Sequence, residues 1–382
     1  MFESFQLSKT ITFDSNSDIA RKSYIVKMQK ITPFVFLVCL FLVTACTKKT
    51  PEEAENPITF IRGADLSFLP EVRQSGLTLY NREGKAEDML RTLQNAGMNT
   101  IRLRLWHQPS EAVSSFETVK ILANEAQALK LKVLLSVHYS DTWADPGHQA
   151  KPALWNQLGL TQLADSVFSY TQKIMRQIQP DYIQIGNEIN GGFLWPEGAL
   201  SSPEQMKMLL SKGIEAVRAS NSKTKIILHY AGFQQADAFF NTLAALDFDI
   251  IGLSYYPMWH GNSFQQLATT IRTLGEKHSK PVFIAETSYP FSLQWNDWTH
   301  NVIGLENQLH PAYAASPAGQ YTFLNDLIQL LHSEKTAFGF CYWGAEWVSY
   351  KGPQATNGSS WENQALWDFE NKALQAVELF SK

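Results

Sequence analysis

Two glutamates draw attention because each closes a short apolar run. Glu188 follows Asn187 in YIQIGNEI (182–189), and Glu286 ends the apolar part of VFIAETSYP (282–290). A charged residue at the end of a buried strand is costly unless it is paired or used. One such glutamate is explained by a salt bridge to a neighbouring arginine. Two of them, at the ends of non-adjacent strands of one sheet, point to paired-carboxyl catalysis. Glycoside cleavage needs such a pair: a protonated carboxyl feeds the leaving oxygen, while an ionised carboxylate works from the other side of the anomeric carbon. A gap of about 5 Å implies a covalent intermediate and retention, and a wider gap leaves room for water and gives inversion. The histidines show no tight ligand spacing such as HExxH, so a metal hydrolase is poorly supported.

These residues need a frame that brings two strand ends together. From Phe60 onward, β-type runs alternate with segments of helical period. The predicted strands are 60–67, 99–106, 132–140, 182–189, 225–232, 249–257, 282–290 and 338–345. Amphipathic stretches at 86–97, 166–179, 203–220 and 321–333 lie between them, and a last helix is expected at 362–380. Eight βα units make an α/β protein of the (β/α)8 TIM barrel type, a single catalytic domain over 58–382. A doubly wound open sheet is the competitor, but no Gly-rich phosphate loop follows the first strand. Helix-to-strand links are short, whereas the strand-to-helix links 141–160, 190–202, 290–317 and 346–361 are long. Barrel enzymes build their sites from those links. Trp143, Trp155, Trp195, Trp259, Trp295, Trp298, Trp347 and Trp361 fall on that face, eight of the chain's 11 tryptophans, which loop packing alone explains poorly. Loop tryptophans of this kind suit a flat ligand such as sugar.

Composition narrows the class further. The chain is 45% hydrophobic, which excludes disorder as its main state. A net charge of −4 advertises no basic surface, so no nucleic-acid partner is expected. Residues 33–46, PFVFLVCLFLVTAC, are uncharged and follow Lys27 and Lys30. They are too short for a bilayer span of ~20 residues and read as an export signal. Val43-Thr44-Ala45-Cys46 resembles a bacterial lipobox, which implies cleavage before Cys46, lipidation of that cysteine and an exported, membrane-anchored lipoprotein of the outer membrane or cell surface. Met28-Gln-Lys makes a cleaner basic start than the acidic stretch before it, and 47–57 reads as a polar tether. Cys39 leaves with the signal, and Cys341, in FGFCYWG, is expected as a buried, inert thiol.

The finer motifs resemble one family. GNE on strand four and a glutamate ending strand seven match the retaining glycosidase clan built on (β/α)8 barrels. GADLS (63–67), HYSDTWADPGHQ (138–149), YYPMWHG (255–261), AETSYP (285–290), YWGAEW (342–347) and ENQALWDF (362–369) resemble glycoside hydrolase family 53, the endo-β-1,4-galactanases. The resemblance covers about 57–382 and implies hydrolysis of galactan side chains of pectin by a retaining double displacement. It implies Glu188 as general acid/base and Glu286 as nucleophile, with Asn187 on the sugar 2-hydroxyl. Arg102 would hold Glu286 ionised, and Arg104 points to the same side and would share that task. His138, Asp141, Tyr256 and Trp343 would serve the sugar at the cleavage point, with Tyr256 donating to Glu286. Trp143, Trp347 and Trp259 are candidates for neighbouring subsites. Burial and the charge on Glu286 should raise the Glu188 pKa, keeping the acid protonated.

No cofactor is required for this chemistry, and a monomer is expected. Some members of the family bind calcium in the loops after strands seven and eight. Here 293–301 offers Asn296, Asp297, His300 and Asn301, with one acid against a usual six to eight oxygen ligands. Two alternatives stay open on sequence: cleavage of another β-1,4-glycan such as mannan, since subsite loops set that choice, or a lipid-anchored glycan-binding protein without turnover.

Overall fold

Runs of β-branched and aromatic residues form parallel strands in a computed structural model that describes residues 59–382. The signal, the tether, Met28, Cys39 and Cys46 lie outside the described residues. The strands are β1 Ile61–Asp65, β2 Thr100–Leu105, β3 Lys132–Val137, β4 Tyr182–Ile185, β5 Lys225–Ala231, β6 Ile250–Ser254, β7 Val282–Thr287 and β8 Ala337–Tyr342. Each pairs with the next, and β8 returns to β1 with Cys341 opposite Gly63, closing a (β/α)8 barrel. The α/β barrel expected from the strand count is the fold observed.

The outer layer carries α1 Leu69–Gln74, α2 Met89–Asn95, α3 Phe116–Ala128, α4 Leu160–Gln177, α5 Pro203–Ser220, α6 Ala236–Thr242, α7 Pro257–His260, α8 Phe264–His278 and α9 Pro317–Ser333. In α4 the buried face is Leu163, Val167, Tyr170, Thr171 and Ile174, a helical spacing set against the barrel wall. Ser316 starts α9 by accepting the Gly319 N–H on its hydroxyl, with Pro317 in the first turn.

The strand period of two sorts the barrel interior into layers. Ile61, Leu134, Tyr182, Ile227, Ile250, Phe283, Phe338 and Cys341 pack together as a buried apolar cluster. Two residues further along their strands come Asp65 (four from Ile61), Ser136, Gln184, His229 and, beyond Gly252, Ser254, all buried and polar. The apolar plug is therefore roofed by a polar floor on the side where the strands end. Cys341 belongs to the plug as a buried free thiol, and burial pushes its pKa well up.

The expected helix at 362–380 is not there. The chain makes short 3-10 turns at Glu362–Gln364 and Gln375–Ser381 with irregular backbone between. The Asp368 carboxylate accepts the N–H groups of Glu370 and Lys372, a local side-chain turn that competes with helix. Asn371 then takes a φ of 63°, and the buried Trp367 donates its indole N–H to Tyr80 O. The periodic apolar residues of this segment serve as a closing strap across the barrel's outer layer.

Candidate active site

Beyond the polar floor lies a cleft of about 780 Å³. Glu188 reaches it from a turn rather than from a strand, because β4 stops at Ile185. Gly186 makes the turn with a φ of 80°, and a Cβ there would meet Ile189 at 2.6 Å and Phe193 at 3.1 Å. Glu188 itself sits at a φ of 46°, a left-handed conformation uncommon outside glycine and concentrated at functional sites.

Glu286 reaches the cleft through a register shift. Strict alternation would send it outward with Ile284, which packs in the outer core. Between β6 and β7 the register passes from Leu253↔Ile284 to Ser254↔Glu286, an irregularity that leaves Ala285 extra. Ala285 stays in the inner cluster and Glu286 also turns inward, so the bulge re-aims the carboxylate. The closest carboxylate oxygens of Glu188 and Glu286, with a ring nitrogen of His229, all lie within 4.8 Å of one another.

The two carboxylates have different neighbours. Arg102 donates from Nη2 to Glu286 Oε1 at 2.7 Å and from Nη1 to Asp65 Oδ2 at 2.8 Å. Tyr256 donates its hydroxyl to Glu286 Oε2 at 3.1 Å. Burial alone would lower the Arg102 pKa, but the charges of Glu286 and Asp65 outweigh it and keep the guanidinium charged. Glu188 has no cation in contact; its Oε1 accepts the Ser254 hydroxyl at 2.5 Å. Burial, then the charge on Glu286, pushes its pKa up to about 8. Burial raises Glu286 too, but Arg102 and Tyr256 draw it back. The pair therefore loses its first proton from Glu286 and keeps the second on Glu188.

Asn187 hangs beside them, its Nδ2 donating to Ala144 O at 2.9 Å and its Oδ1 accepting from Arg102 Nη2 at 3.1 Å. His138 Nδ1 accepts the Ala144 N–H at 2.9 Å, which leaves Nε2 carrying the proton toward the cleft. Burial and the nearby Arg104 and Arg102 keep that ring neutral. His260 is arranged the same way, with Nδ1 accepting the Tyr256 N–H, and burial lowers its pKa to about 4.

Aromatic walls complete the cleft. Trp143, Trp259, Trp343, Trp347 and Trp361 all line it. Trp343 meets Trp361 edge-on with centroids 4.5 Å apart and lies 5.0 Å from Trp347. A smaller recess of about 250 Å³ borders Trp143 and Trp347, with Phe68, Trp106 and Tyr350. Of the remaining loop tryptophans, Trp155 packs on His107 and Tyr170, while Trp195 ties its indole to Gly191 O. Trp295 and Trp298 are exposed and do not line the cleft.

Glu188, Glu286, Asn187, Arg102, His138, Tyr256, Trp143, Trp343 and Trp347 thus meet at one cleft. Asp141 does not: its carboxylate accepts the N–H groups of Gln108 and Ala153, each at 2.8 Å, and staples two loops. Arg104 does not share the task of Arg102. Its guanidinium stacks over Trp143 at 4.0 Å and donates to Ser114 Oγ, bracing an aromatic wall instead of Glu286. Asp65, Ser254, His229, Gln184 and His260 were not singled out by sequence reasoning, while Trp361, named there only among the loop tryptophans, lines the cleft. Asp65, His229, Gln184 and Ser254 carried a signal, since each is a polar residue at an inward strand position.

The donors present decide whether a metal fits. Among the described residues, Glu188, His229 and Glu286 are the group of acids and histidines that converges. His229 bonds through both ring nitrogens, to Gln184 and Ser254, and Glu286 is already held by a cation. This is a hydrogen-bonded network in which, among the described residues, Glu188 Oε2 alone is left without a partner, too few donors for a metal shell. In the loop after β7, Asp297 Oδ2 and Asn301 Oδ1 are buried without partners. His300 packs on Trp295, and the Asn296 N–H is bound to Glu362.

Comparison with known proteins gives the family of the chain. The family model described as Glycosyl hydrolase family 53 matches residues 61–380. The arabinogalactan endo-beta-1,4-galactanase of Cellvibrio japonicus is 36% identical over 84% of this chain and 90% of its own. The endo-beta-1,4-galactanase of Bacillus subtilis is 30% identical over 84% of this chain and 85% of its own. Among solved structures, the Ignisphaera aggregans GH53 catalytic domain superposes with a TM-score of 0.80 at 36% identity, covering 86% of this chain and 97% of that one. With a family match across nearly the whole barrel and relatives at this identity, the chain belongs to glycosyl hydrolase family 53 and is a glycoside hydrolase.

Proposed function

We propose that this hydrolase is an endo-β-1,4-galactanase that cleaves galactan and arabinogalactan side chains of pectin with retention of configuration. What carries the mechanism is the approach of the Glu188 and Glu286 oxygens within 4.8 Å, close to the spacing of retaining pairs. The names of the Cellvibrio japonicus and Bacillus subtilis relatives support the substrate class. The recess beyond Trp143 and Trp347 supports endo action, since it prolongs the cleft past the carboxylates.

In the first step a Glu286 oxygen attacks the anomeric carbon while Glu188 gives its proton to the glycosidic oxygen. The glycosidic bond breaks, a glycosyl ester forms on Glu286, and the leaving chain departs as an alcohol. Esterification removes the negative charge that held the Glu188 pKa high, so Glu188 is left ionised and able to act as a base. It then takes a proton from water, the oxygen attacks the same carbon, and Glu286 leaves as a carboxylate. Glu188 ends protonated, ready for another turn. Arg102 and Tyr256 stabilise Glu286 as nucleophile and as leaving group. Asn187 and the Nε2–H of His138 offer hydrogen bonds to the sugar, and Trp343 offers it a platform.

The lipobox-like segment ending at Cys46 supports an exported enzyme held at the outer membrane or cell surface by lipid on that cysteine. The catalytic reading is tested by incubating the chain, begun after Cys46, with linear β-1,4-galactan and with β-mannan, beside Glu188→Gln and Glu286→Gln. Reducing ends from galactan alone, nearly abolished in both variants, are expected. Binding of galactan with no release would overturn it.

A further inference from the structure

The Glu188 carboxylate is the end of a buried hydrogen-bond chain whose direction the structure determines. Gln184 Nε2 lies 2.9 Å from Asn187 Oδ1, 3.0 Å from Ser136 Oγ and 3.2 Å from Gly186 O. Two of these, Asn187 Oδ1 and Gly186 O, can only accept and require the amide nitrogen at that position, because a flipped amide would set oxygen against oxygen. The same Nε2 is 2.9 Å from His229 Nδ1, whereas Asn187 Oδ1, already taking the Arg102 guanidinium, lies 3.3 Å from that nitrogen; the shorter contact is to a group that only donates, which assigns Nδ1 as the acceptor and the His229 proton to Nε2. His229 Nε2 is 2.9 Å from Ser254 Oγ and therefore donates to it. The Ser254 hydroxyl is left with its own proton to give, and Glu188 Oε1 receives it at 2.5 Å. His229 cannot reverse the chain by charging, since burial and the charge of Arg102 hold it neutral.

We infer that Ser254 and His229 are positioning residues that keep Glu188 Oε1 a permanent acceptor, so the transferable proton is confined to Oε2. Among the described residues Oε2 has no hydrogen-bond partner, and Glu188 lines the cleft where the glycosidic oxygen must lie. The chain thus sets which oxygen donates without supplying a proton of its own. This rests on the assignment of Glu188 as the acid/base. The other charged and titratable groups facing Glu188 are Glu286 from β7, Arg102 from β2, Asp145 from the loop after β3 and Tyr256 beyond β6. None of them touches Oε1, so Ser254 is the handle on it.

The test is Ser254→Ala on two substrates, galactan and 2,4-dinitrophenyl β-1,4-galactobioside, whose leaving group departs without a proton. The kcat/KM for galactan should fall about tenfold or more, while that for the aryl glycoside changes by less than about twofold. The alkaline limb of the galactan profile should move to higher pH, because the lost hydrogen bond favoured the ionised form. Ser254→Thr, which keeps the hydroxyl, should restore both. Ser254→Cys, a weak donor, carries the same test if the alanine variant does not accumulate. Equal losses on both substrates, or a limb that stays in place, overturn the positioning role. Glu188→Ala separates the two layers. If it still cleaves galactan, the acid/base assignment itself fails. If it cleaves only the aryl glycoside while Ser254→Ala behaves as wild type, the positioning role alone fails.

Discussion

One guanidinium serves two buried carboxylates: Arg102 stands 2.7 Å from Glu286 through Nη2 while its Nη1 holds Asp65 at 2.8 Å. The Arg102 side chain is 1% exposed, so its charge is balanced by these acids rather than by solvent. Replacing Arg102 by Ala leaves two buried acids without their cation, which should cost about 3–5 kcal/mol of stability. Lysine keeps the charge but not the two-pronged geometry. In Arg102→Lys the weakened pull on Glu286 should raise its pKa. The nucleophile must be ionised, so the acid limb of kcat/KM should shift to higher pH. An acid limb at the wild-type position in a folded lysine variant would contradict this.

Glu188 makes a separate prediction about stability. A glutamate of ordinary pKa 4.5 is pushed up to about 8 here, first by burial and then by Glu286. Below the lower value the group is neutral in both the folded and unfolded chain and costs nothing. Between the two values the unfolded chain ionises first, so stability drains away as pH rises. Above about 8 the full cost is present. Glu188→Gln removes that penalty and should therefore melt higher than wild type at pH 9 and close to wild type at pH 4. Melting curves at the two pH values check it, and a constant offset would speak against the raised pKa.

How much of this was legible in the sequence depends on which physical rule each residue obeys. The barrel was readable because its strands and helices follow their own periods and its loops are asymmetric in length. Glu286 was found by its place at a strand's end, yet alternation alone would have turned it outward. Only the bulge beside Ala285 brings it in, and no residue type in VFIAETSYP announces a bulge. Asp141 misled because a polar residue in an aromatic loop motif looks like a ligand contact, whereas its two oxygens are spent on backbone N–H groups. The strap at 362–380 has helical spacing, but Asp368 offers its backbone a competing turn. Ser254 and His229 are ordinary residues singly; their meaning lies in a chain of contacts across β4, β5 and β6, which a one-dimensional pattern does not carry.

Trp259 is 48% exposed on the cleft wall, edge-on to Tyr256 with centroids 5.4 Å apart. It touches neither carboxylate, so stacking on it should stabilise bound substrate and transition state alike. Removing such uniform binding raises KM and leaves kcat nearly unchanged. Trp259→Ala should raise KM for galactan about two- to tenfold, the range expected for one aromatic contact. Steady-state kinetics decide it, and a fall in kcat with constant KM would mean that Trp259 acts on the chemistry.

Cys46 follows a lipobox-like segment and carries the anchoring proposal. Stable anchoring needs more than one acyl chain, which a triacylated cysteine would supply. In a bacterial host the full chain should incorporate labelled palmitate and partition with membranes, and Cys46→Ser should do neither. Label retained in the serine variant would place the lipid elsewhere.

The separation of the carboxylates predicts the stereochemistry of the first product. An inverting pair stands about 6.5–9.5 Å apart because a water must fit between one carboxylate and the anomeric carbon. Here the nearest Glu188 and Glu286 oxygens are within 4.8 Å. Arg102 and Tyr256 each hold one Glu286 oxygen, which fixes the carboxylate in place at the cleft where it can act as the nucleophile. Proton NMR of galactan oligosaccharide digestion, begun within the first minutes, should therefore show the β-anomer of the new reducing end before the α-anomer grows in by mutarotation. An activated 2-fluoro-galactobioside should also leave a glycosyl ester on Glu286, seen as an added mass on its peptide. An α-anomer first, with no labelled peptide, would require Glu286 to act as a base on water and would refute the double displacement.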